Sequence, residues 1–453
     1  MHSGPDKDNQ LLLVLPTRLR GTVAAVPSKS DAHRALIAAA FSDVPTTVYG
    51  IDASDQADDI MCTIQCLEAL GASITTCNGC IHIAPMRQGK PEVHFYIDES
   101  GTTLRLLVGI VACLPSRSIF HIGARLSNRP LDALLEAVCN TGANVTQHRK
   151  ADGSSTLEIS GPMRAESVTV DASQSSQFVS SFLFASALSP TLHEVNAKGP
   201  LVSAGYIRMT AHTLEQFGCS FALSQTEKDT RWMRAASLLE RNNTAPSFNL
   251  LRSPQVYHIE GSWSQAAPWI VASAISEPNA ILIRGLNLLS LSPDHKLIGI
   301  LQEAGAIFEE DKDIMTLRCT QPLCHPLNVD IDQCPDLAPI LSVAAAYAPK
   351  TSYLRNVGRL RLKESDRLQG ICSLLDIFSI DYELTGDDLI IHGKTQFKSQ
   401  GTYDSQADHR LVMSAAILGS QSENGLAISG WSSVSKSYPT FFDDMAALSD
   451  DVT

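Results

Sequence analysis

The sequence predicts an α/β (α+β) protein with two globular domains, each built from three similar units of β-strands and two helices. Three observations predict this fold: the chain has 453 residues, only 18% of them are charged, and two helix patterns recur along it. Few charges over such a length indicate a large buried core, and the length alone suggests about two to three domains. The patterns recur about every 75 residues, so six units follow one another, and three such units together can bury their faces.

The first pattern is an amphipathic helix that ends in glycine and is followed by a strand-like run. It occurs around Gly71, Gly142, Gly218 and Gly305, and Ser379 takes the place of the glycine in a fifth copy. A left-handed residue at a helix C-terminus favours glycine, because glycine lacks the β-carbon that clashes in this conformation. Each copy therefore predicts where a helix ends and a strand follows.

The second pattern is a helix rich in Ala, Leu and Val that a small polar or charged residue introduces. Helices that are apolar on nearly all sides lie inside a domain. Short alternating runs between them, such as VTVDA and LEISG, predict strands. One continuous α/β sheet would instead need apolar strands and amphipathic outer helices, so the repeat interpretation is favoured. The six copies begin at Ser30, Ser100, Ser175, Ser264, Pro335 and Asp408.

The charge balance excludes several classes of partner. The chain has 35 Lys and Arg against 48 Asp and Glu, a formal net charge of −13. A nucleic-acid binder or a protein adapted to anionic membranes would have a basic excess. The apolar run Leu11–Leu15 is too short for a signal peptide or a membrane span. We therefore expect a cytoplasmic protein with no nucleic-acid or membrane partner.

The eleven cysteines are expected to be reduced thiols packed as small apolar groups. Cys62, Cys66, Cys77 and Cys80 form the one cluster whose spacing resembles a zinc site. Cys62 and Cys66 lie on one face of an apparent helix, and no second close-spaced pair follows, so packed thiols are favoured over zinc. The sequence predicts no metal and no cofactor.

Basic residues recur beside the starts of the buried helices. Helix N-termini carry free N–H groups and the positive end of the helix dipole, which favour anions. A single Arg at such a place is usually a solvated surface charge, and Ser-Gly-Thr-Thr could be an ordinary N-cap. The recurrence at equivalent places favours an anion site instead. The cations are Lys29, Arg34, Arg105, Arg129, Lys363, Arg367, Arg410 and Lys436.

Several motifs occur in a fixed order along the chain. They include PSKSDAHR from residue 27, SGTTLR from 100, NRP from 128, LKESDRL from 362, DHR from 408 and SKSYP from 435. Through them the chain resembles the EPSP synthase (3-phosphoshikimate 1-carboxyvinyltransferase) family of enolpyruvyl transferases over about residues 13–448. The resemblance implies two domains, each of three βαβαββ units with buried parallel helices (an inside-out α/β barrel), with ligands bound between them. It implies a discontinuous domain, residues 1–21 and 260–453, and an inserted domain, residues 22–259.

The resemblance also implies the reaction and its site. The enolpyruvyl group of phosphoenolpyruvate would pass to the 5-hydroxyl of shikimate 3-phosphate, with release of phosphate. The residues implied for phosphoenolpyruvate are Lys29, Gly101, Arg129, Gln177, Arg367, Arg410 and Lys436. Those implied for shikimate 3-phosphate are Ser30, Arg34, Thr102, Ser175, Ser176, Gln177, Ser203, Tyr206, Asp336 and Lys363. Arg forks and Lys point charges suit substrates that carry phosphate and carboxylate groups.

The reaction needs one proton removed from the hydroxyl and one delivered to the methylene carbon of phosphoenolpyruvate, through a tetrahedral intermediate. Two carboxylates in different environments are the expected tools. We assign Asp336 as the base and Glu364 as the proton donor and acceptor. Lys29 and Lys436 would stabilise the developing charge and the departing phosphate.

Rival interpretations remain open at this point. A sister enolpyruvyl transferase that acts on a UDP-sugar shares the architecture but uses a catalytic Cys, and no Cys here occupies a corresponding motif. An inactive metabolite-binding paralogue is disfavoured by the intact set of charged motif residues. We expect a monomer, inhibition by glyphosate at the phosphoenolpyruvate position, and a family-variable insertion at residues 225–254, which fit no motif.

Overall fold

The computed structural model describes residues 10–51, 58–77, 79–87, 89–226, 229–235, 250–311 and 315–449. The chain forms two compact units. The terminal unit comprises Met1–Ser28 and Glu260–Thr453, and the insert unit comprises Lys29–Ile259. The first crossover thus falls after Ser28 and not after residue 21, because the strand Gly21–Ala24 pairs with Ile281–Arg284 of the terminal unit.

The described residues contain twelve α-helices, and they alternate between the two predicted kinds. The apolar helices are α1 (Lys29–Ala40), α3 (Gly101–Cys113), α5 (Ser176–Leu188), α7 (Trp263–Ile275), α9 (Ala338–Tyr347) and α11 (His409–Ser420). The amphipathic helices are α2 (Asp58–Leu70), α4 (Asp132–Asn140), α6 (Ala204–Gln216), α8 (Lys296–Glu303) and α10 (Arg367–Ile377), followed by the C-terminal α12 (Phe441–Leu448).

The predicted helix ends are confirmed by the backbone. Gly71, Gly142, Gly218 and Gly305 directly follow α2, α4, α6 and α8 or lie within two residues of their ends, and all four have positive φ, from 79° to 115°. Ser379 adopts the same left-handed conformation after α10, with φ 49°. The fifth copy therefore keeps the geometry without glycine, which costs roughly 1 kcal/mol of backbone strain.

The predicted burial of the apolar helices is also confirmed. In α3 every residue except Thr102 is buried, and in α5 every residue except Gln177 is buried. These two exceptions lie in the first turn of their helices. Pro335 begins a 3₁₀ turn that leads into α9. In this copy the α-helix therefore begins three residues after the first residue of the sequence pattern.

The twenty-three described strands form six small open sheets and no closed barrel. In the insert unit they are β3 (Thr46–Tyr49), β4 (Ser73–Cys77), β5 (Cys80–Ala84), β6 (Glu92–Asp98), β7 (Arg117–Ile122), β8 (Asn144–Arg149), β9 (Ser155–Ser160), β10 (Ser167–Asp171), β11 (Glu194–Lys198), β12 (Phe221–Gln225), β13 (Asp229–Arg234) and β14 (Val256–His258). In the terminal unit they are β1 (Leu12–Val14), β2 (Gly21–Ala24), β15 (Ile281–Arg284), β16 (Ile307–Asp311), β17 (Thr316–Gln321), β18 (Asn328–Asp330), β19 (Thr351–Arg355), β20 (Tyr382–Thr385), β21 (Asp388–His392), β22 (Thr402–Asp404) and β23 (Leu426–Ser429).

Five sheets share one strand order, which is the structural basis of the repeat. In β6-β7-β9-β8 the first two strands are parallel and each later pair is antiparallel, and the sheets of β10–β13 and β18–β21 repeat this order. In two sheets the first strand comes from a distant part of the chain. β14 pairs with β3, and β2 pairs with β15. The sixth sheet joins β22, β23 and β1, so the first described strand pairs with the last.

Part of the predicted insertion at residues 225–254 belongs to a sheet, because β13 pairs with both β11 and β12. Residues 227–228 and 236–249 of this segment lie outside the described residues. No helix in the described part of the chain is both long and apolar enough to cross a membrane.

The expectation that all eleven cysteines are thiols is wrong for two of them. Cys77 and Cys80 form a disulfide across the turn between β4 and β5. The other nine are thiols: six are buried, Cys62 is half-buried, and Cys139 and Cys324 are exposed. The described residues contain no group of three His, Cys, Asp or Glu side chains arranged to hold a metal ion.

The buried helices α3 and α5 contact each other closely at Gly109. Its backbone N–H donates a hydrogen bond to Ser181 Oγ at 2.9 Å, and Ser181 Oγ donates to the carbonyl of Leu106. A β-carbon at position 109 would lie 2.7 Å from Ser181 Oγ and 2.8 Å from the Ser181 carbonyl oxygen. The glycine therefore fixes the distance between two core helices.

We expect Gly109→Ala to destabilise the protein by about 1–3 kcal/mol, because overpacking against backbone outweighs the gain in helix propensity. Gly299 in the exposed part of α8 is the matched control, since no atom of the described residues lies within 4 Å of a β-carbon built there. Gly299→Ala should be neutral or stabilising by up to about 1 kcal/mol. Denaturant unfolding measures both changes, and equal effects of the two substitutions would contradict the packing argument.

Candidate active site

In the terminal unit, the buried side chain of Arg367 joins three carboxylates. It is only 1% exposed and lies at the start of α10, where Asp366 caps the helix. Its Nε donates to Asp408 Oδ2 and its Nη1 to Asp336 Oδ1, both at 2.7 Å, and its Nη2 donates to Glu364. The pKa of Arg367 is raised because these carboxylates outweigh the effect of burial. Arg367 is therefore a cation that three carboxylates hold in place.

Asp336 is the carboxylate on which most of the cations converge. Besides Arg367, it contacts Arg410 Nη2 at 3.0 Å and Lys363 Nζ at 3.5 Å. Burial would raise its pKa, but Arg410, Lys363 and Arg367 outweigh burial and hold the pKa of Asp336 well below its usual 3.8. The pKa of Lys363 is lowered because burial outweighs its attraction to Asp336. Asp336 is therefore ionised at neutral pH.

Asp408 organises the neighbouring helix start. Its Oδ1 accepts the backbone N–H of Arg410 at 2.9 Å and so caps α11, while its Oδ2 also accepts from Ser365 Oγ. Lys436 approaches the same place, since its Nζ donates to the Ala407 carbonyl at 3.2 Å. The sequence-predicted residues Asp336, Lys363, Glu364, Arg367, Arg410 and Lys436 thus lie together at the starts of three helices.

One donor in this cluster lacks a partner. Arg410 Nε is buried, and among the described residues no atom accepts a hydrogen bond from it. The other nitrogens of Arg410 bind the side chain and the carbonyl of Asp336. A buried N–H without an acceptor costs about 1–3 kcal/mol, so this donor suits an incoming anionic oxygen.

In the insert unit, Lys29 pairs with an aspartate that the sequence analysis did not identify. Lys29 Nζ lies 2.8 Å from Asp59 Oδ2, in the first turn of α2. Burial would raise the pKa of Asp59, but Lys29 and neighbouring groups lower it. His33, one turn into α1, accepts or donates a 2.7 Å hydrogen bond with Thr63 Oγ1. Burial lowers the pKa of His33 to about 3, so it is neutral at physiological pH.

Arg34 connects α1 with α6. Its Nε donates to Thr210 Oγ1 at 2.7 Å and its Nη2 to the Tyr206 carbonyl at 3.1 Å, while Nη1 donates to the carbonyl of Ser30. Its guanidinium also lies 5.9 Å from the centre of the Tyr206 ring. Burial lowers the pKa of Arg34 to about 10, which leaves it charged at neutral pH. Three sequence-predicted residues, Ser30, Arg34 and Tyr206, are thereby brought together.

Ser203 directly precedes α6 in a strained conformation. Its φ of 51° and ψ of 44° are left-handed, and its side chain is buried. Its carbonyl accepts the backbone N–H of Tyr206 at 3.1 Å, which closes the turn. A non-glycine residue in this region costs of order 1 kcal/mol, and such residues cluster at functional sites.

The starts of α3 and α5 meet the Arg129 loop. A β-carbon at Gly101 would lie 3.0 Å from Arg129 Nη1, so the guanidinium rests directly against the glycine backbone. Gln177 Nε2 donates to Thr102 Oγ1 at 2.9 Å, and Ser175 Oγ accepts the Gln177 backbone N–H. Ser176, the first residue of α5, is buried beside them.

A cavity of about 550 Å³ adjoins this group of residues in the insert unit. Arg105, Arg129 and Arg149 contribute to its lining, and Asp132 is the carboxylate among the lining residues. Three guanidinium groups against one carboxylate make the cavity electropositive. Its chemistry therefore suits an anionic small molecule.

The predicted site residues form one group in the terminal unit and two in the insert unit. In the insert unit, one group lies around Arg34 and the other around Gln177. Lys29 belongs to neither group and is paired with Asp59. Sequence reasoning missed Asp59, and it cited Asp408 only as part of a motif. Asp59 pairs with the predicted cation Lys29, and Asp408 pairs with the predicted cation Arg367. A search of the sequence for carboxylates that could pair with each predicted cation could have found both residues.

Comparison with solved structures identifies the fold first. The structure matches an EPSP synthase from Acinetobacter baumannii with a TM-score of 0.76 at 24% identity, covering 97% of this chain and 98% of that one. It also matches the enolpyruvyl transferase NikO from Streptomyces tendae with a TM-score of 0.70 at 15% identity, covering 97% of each chain. The fold is therefore that of the enolpyruvyl transferases.

The sequence then identifies the family. The EPSP synthase (3-phosphoshikimate 1-carboxyvinyltransferase) family model matches residues 14–445. The chain is 32% identical over 441 residues to a 3-phosphoshikimate 1-carboxyvinyltransferase of Clostridium kluyveri, covering 96% of this chain and 97% of the relative. It is 31% identical over 439 residues to one of Aeropyrum pernix, covering 96% and 95%. The chain belongs to the EPSP synthase family, a family of shikimate-pathway transferases that use phosphoenolpyruvate in aromatic amino-acid biosynthesis.

The lowered pKa of His33 predicts a specific pH dependence of stability. Below pH 6.5 the unfolded chain binds a proton at this residue, whereas the folded protein does so only near pH 3. Stability therefore falls as the pH decreases through this window, by about 2 kcal/mol between pH 6.5 and 5. Denaturant unfolding should show this loss in the wild type and a shallower loss in His33→Asn, which keeps a polar partner for Thr63. Equal slopes in the two proteins would exclude His33 as the cause.

Proposed function

We propose that the enzyme transfers the enolpyruvyl group of phosphoenolpyruvate to the 5-hydroxyl of shikimate 3-phosphate by addition and elimination. The oxygen–carbon bond forms at C2 of phosphoenolpyruvate while C3 takes up a proton, which gives a tetrahedral intermediate. C3 then loses a proton, the C2–O bond to phosphate breaks, and phosphate leaves. The observation that carries this proposal is the carboxylate–cation cluster around Arg367, which provides proton-transfer groups and anion-binding groups in one place.

The proposed roles of the cations follow from their contacts. Arg410 supports the binding of phosphoenolpyruvate through its buried Nε, which has no acceptor among the described residues, and Arg129 does so beside the backbone of Gly101. Arg367, Gln177 and Lys436 complete this set. For shikimate 3-phosphate we propose Ser30, Arg34, Thr102, Ser175, Ser176, Gln177, Ser203, Tyr206, Asp336 and Lys363.

The proposed base, Asp336, must change partners before it can act. With Arg410, Arg367 and Lys363 around it, its carboxylate is a weak base. Anionic groups of the substrates would compete for the same cations, and each cation that they neutralise raises the pKa of Asp336. Glu364, whose side chain is 41% exposed, is the proposed proton donor and acceptor at C3. Lys29 and Lys436 are proposed to stabilise the charge on the departing phosphate.

The UDP-sugar alternative is not favoured, because the matching family model and the two relatives compared above are those of 3-phosphoshikimate 1-carboxyvinyltransferases. An inactive paralogue remains the second candidate, and turnover distinguishes it. We further propose that the enzyme is a cytoplasmic monomer, which size-exclusion chromatography with light scattering and fractionation of cells would test.

We expect Glu364→Gln and Asp336→Asn to reduce kcat by about 10² to 10⁴ while substrate KM changes little, because a positioned acid or base contributes a factor of this size. A phosphate-release assay with both substrates measures this. Glu309→Gln, at an exposed ion pair with Arg318, is the matched control and should keep normal turnover. An active Glu364→Gln enzyme would exclude the assigned role, and a wild type without phosphate release would exclude the function.

We expect Gly101→Ala to raise KM for phosphoenolpyruvate about tenfold or more, because a methyl group there displaces the Arg129 guanidinium from its contact and costs of order 1–3 kcal/mol. Glyphosate, which we expect to compete with phosphoenolpyruvate in the wild type, should lose affinity in the same variant. Steady-state kinetics with each ligand measures both effects. Unchanged constants would show that the Arg129–Gly101 contact does not form part of the binding site.

A further inference from the structure

Arg105 is buried behind the residues proposed to hold phosphoenolpyruvate, and it connects three of their segments. It is 6% exposed and lies one turn after Thr102 in α3. Its Nη1 donates to Gln177 Oε1 at 2.9 Å, and its Nη2 donates to the carbonyl of Pro130 at 3.3 Å. Its guanidinium also lies 5.8 Å from the centre of the Phe178 ring. Arg105 thus contacts both the α5 start and the residue that follows Arg129.

The contact with Gln177 determines which way the amide of that side chain faces. A glutamine amide has an accepting oxygen and a donating NH₂ group that are nearly equal in size, so either can face a neighbour. Arg105 can only donate, and it therefore selects the orientation with Oε1 towards itself. The NH₂ group then faces Thr102, whose Oγ1 accepts one of its two N–H groups at 2.9 Å.

This orientation matters because the proposed substrate is an anion. With NH₂ directed away from Arg105, the second N–H of Gln177 is a donor for a phosphate or carboxylate oxygen. In the reversed orientation the carbonyl oxygen would face the same place, and its lone pairs would repel an anion. A hydrogen bond to a charged group contributes about 1.5–3 kcal/mol, so the choice of orientation has a measurable effect on affinity.

We propose that Arg105 is a positioning residue that fixes the Gln177 amide as a hydrogen-bond donor to phosphoenolpyruvate. It acts through Gln177 and does not itself contact the reacting atoms. The link to Pro130 holds the Arg129 loop beside the same donor, so one buried cation sets the spacing of two anion-binding groups. This inference rests on the proposed function, since it needs phosphoenolpyruvate as the ligand.

A double-mutant cycle tests the proposal. Arg105→Met removes the donor that orients the amide, and Gln177→Ala removes the amide. Each should raise KM for phosphoenolpyruvate about tenfold or more, with a smaller change in kcat. The double variant should have a KM for phosphoenolpyruvate no higher than that of the single variant with the higher KM, because each change removes the same hydrogen bond to substrate. Arg105→Lys keeps one donor and should recover most of the affinity.

The controls separate positioning from loss of structure. Arg117→Met removes an exposed arginine that pairs with Glu92 and Glu158, and it should leave KM unchanged. Thermal unfolding of every variant reports on the fold. If Arg105→Met does not fold, Arg105→Gln replaces it. A glutamine at position 105 can hydrogen-bond to either end of the Gln177 amide and so does not fix its orientation, and KM for phosphoenolpyruvate should still rise.

Two results would overturn the inference. One is an Arg105→Met or Arg105→Gln variant with normal KM for phosphoenolpyruvate, and the other is a double variant in which the two single effects multiply. Both presuppose an active wild type. A wild type that releases no phosphate from the two substrates would contradict the proposed function instead, so the two failures are distinguishable.

Discussion

The terminal-unit site depends on a balance of charge around a fully buried arginine. Arg367 is 1% exposed, and Asp408 is equally buried. A buried ion that loses its partner costs several kcal/mol, so Arg367 needs its carboxylates in order to be tolerated there. Those carboxylates in turn cap α11, contact Ser365 and face Lys363 and Arg410. This requirement for compensation connects the starts of the three helices, and an anionic group brought close to these cations competes with the carboxylates for them.

In the insert unit, two buried arginines are hydrogen-bonded to neutral groups and not to carboxylates. Arg34 is satisfied by a threonine hydroxyl and two carbonyls, and Arg105 by an amide and a carbonyl. Such partners satisfy the N–H groups without cancelling the positive charge. Arg34 and Arg105 therefore keep their attraction for anions, whereas Lys29, paired with Asp59, and the cations around Asp336 are compensated by carboxylates.

Most of the fold could be predicted from the sequence where the determinants are local. Gly71 and its equivalents end helices because of backbone sterics at one residue, and the apolar helices are buried because their composition allows nothing else. The exchanged strands β2 and β14 could not be predicted, because their pairing partners lie more than 200 residues away and no periodic pattern marks them. Motifs in the sequence identified the site residues. The contacts between Lys29 and Asp59 and between Arg105 and Gln177 could not be predicted, because they depend on which helix starts meet in space.

The pairing of β1 with β23 has a consequence for synthesis of the chain. Translation adds about 5–20 residues per second, so Leu12–Val14 leaves the ribosome roughly 20–80 s before its neighbour Leu426–Ser429 exists. Leu11, Leu13 and Leu15, each about 60% exposed even in the finished sheet, remain uncovered throughout this interval. The sheet that contains β3 also lacks one strand at first, but its missing strand, β14, is complete once residue 258 has been added to the chain. The strands of the insert unit can therefore all pair before synthesis ends, while the terminal unit completes its hydrogen bonding only as a nearly full-length chain, with an unpaired apolar strand until then.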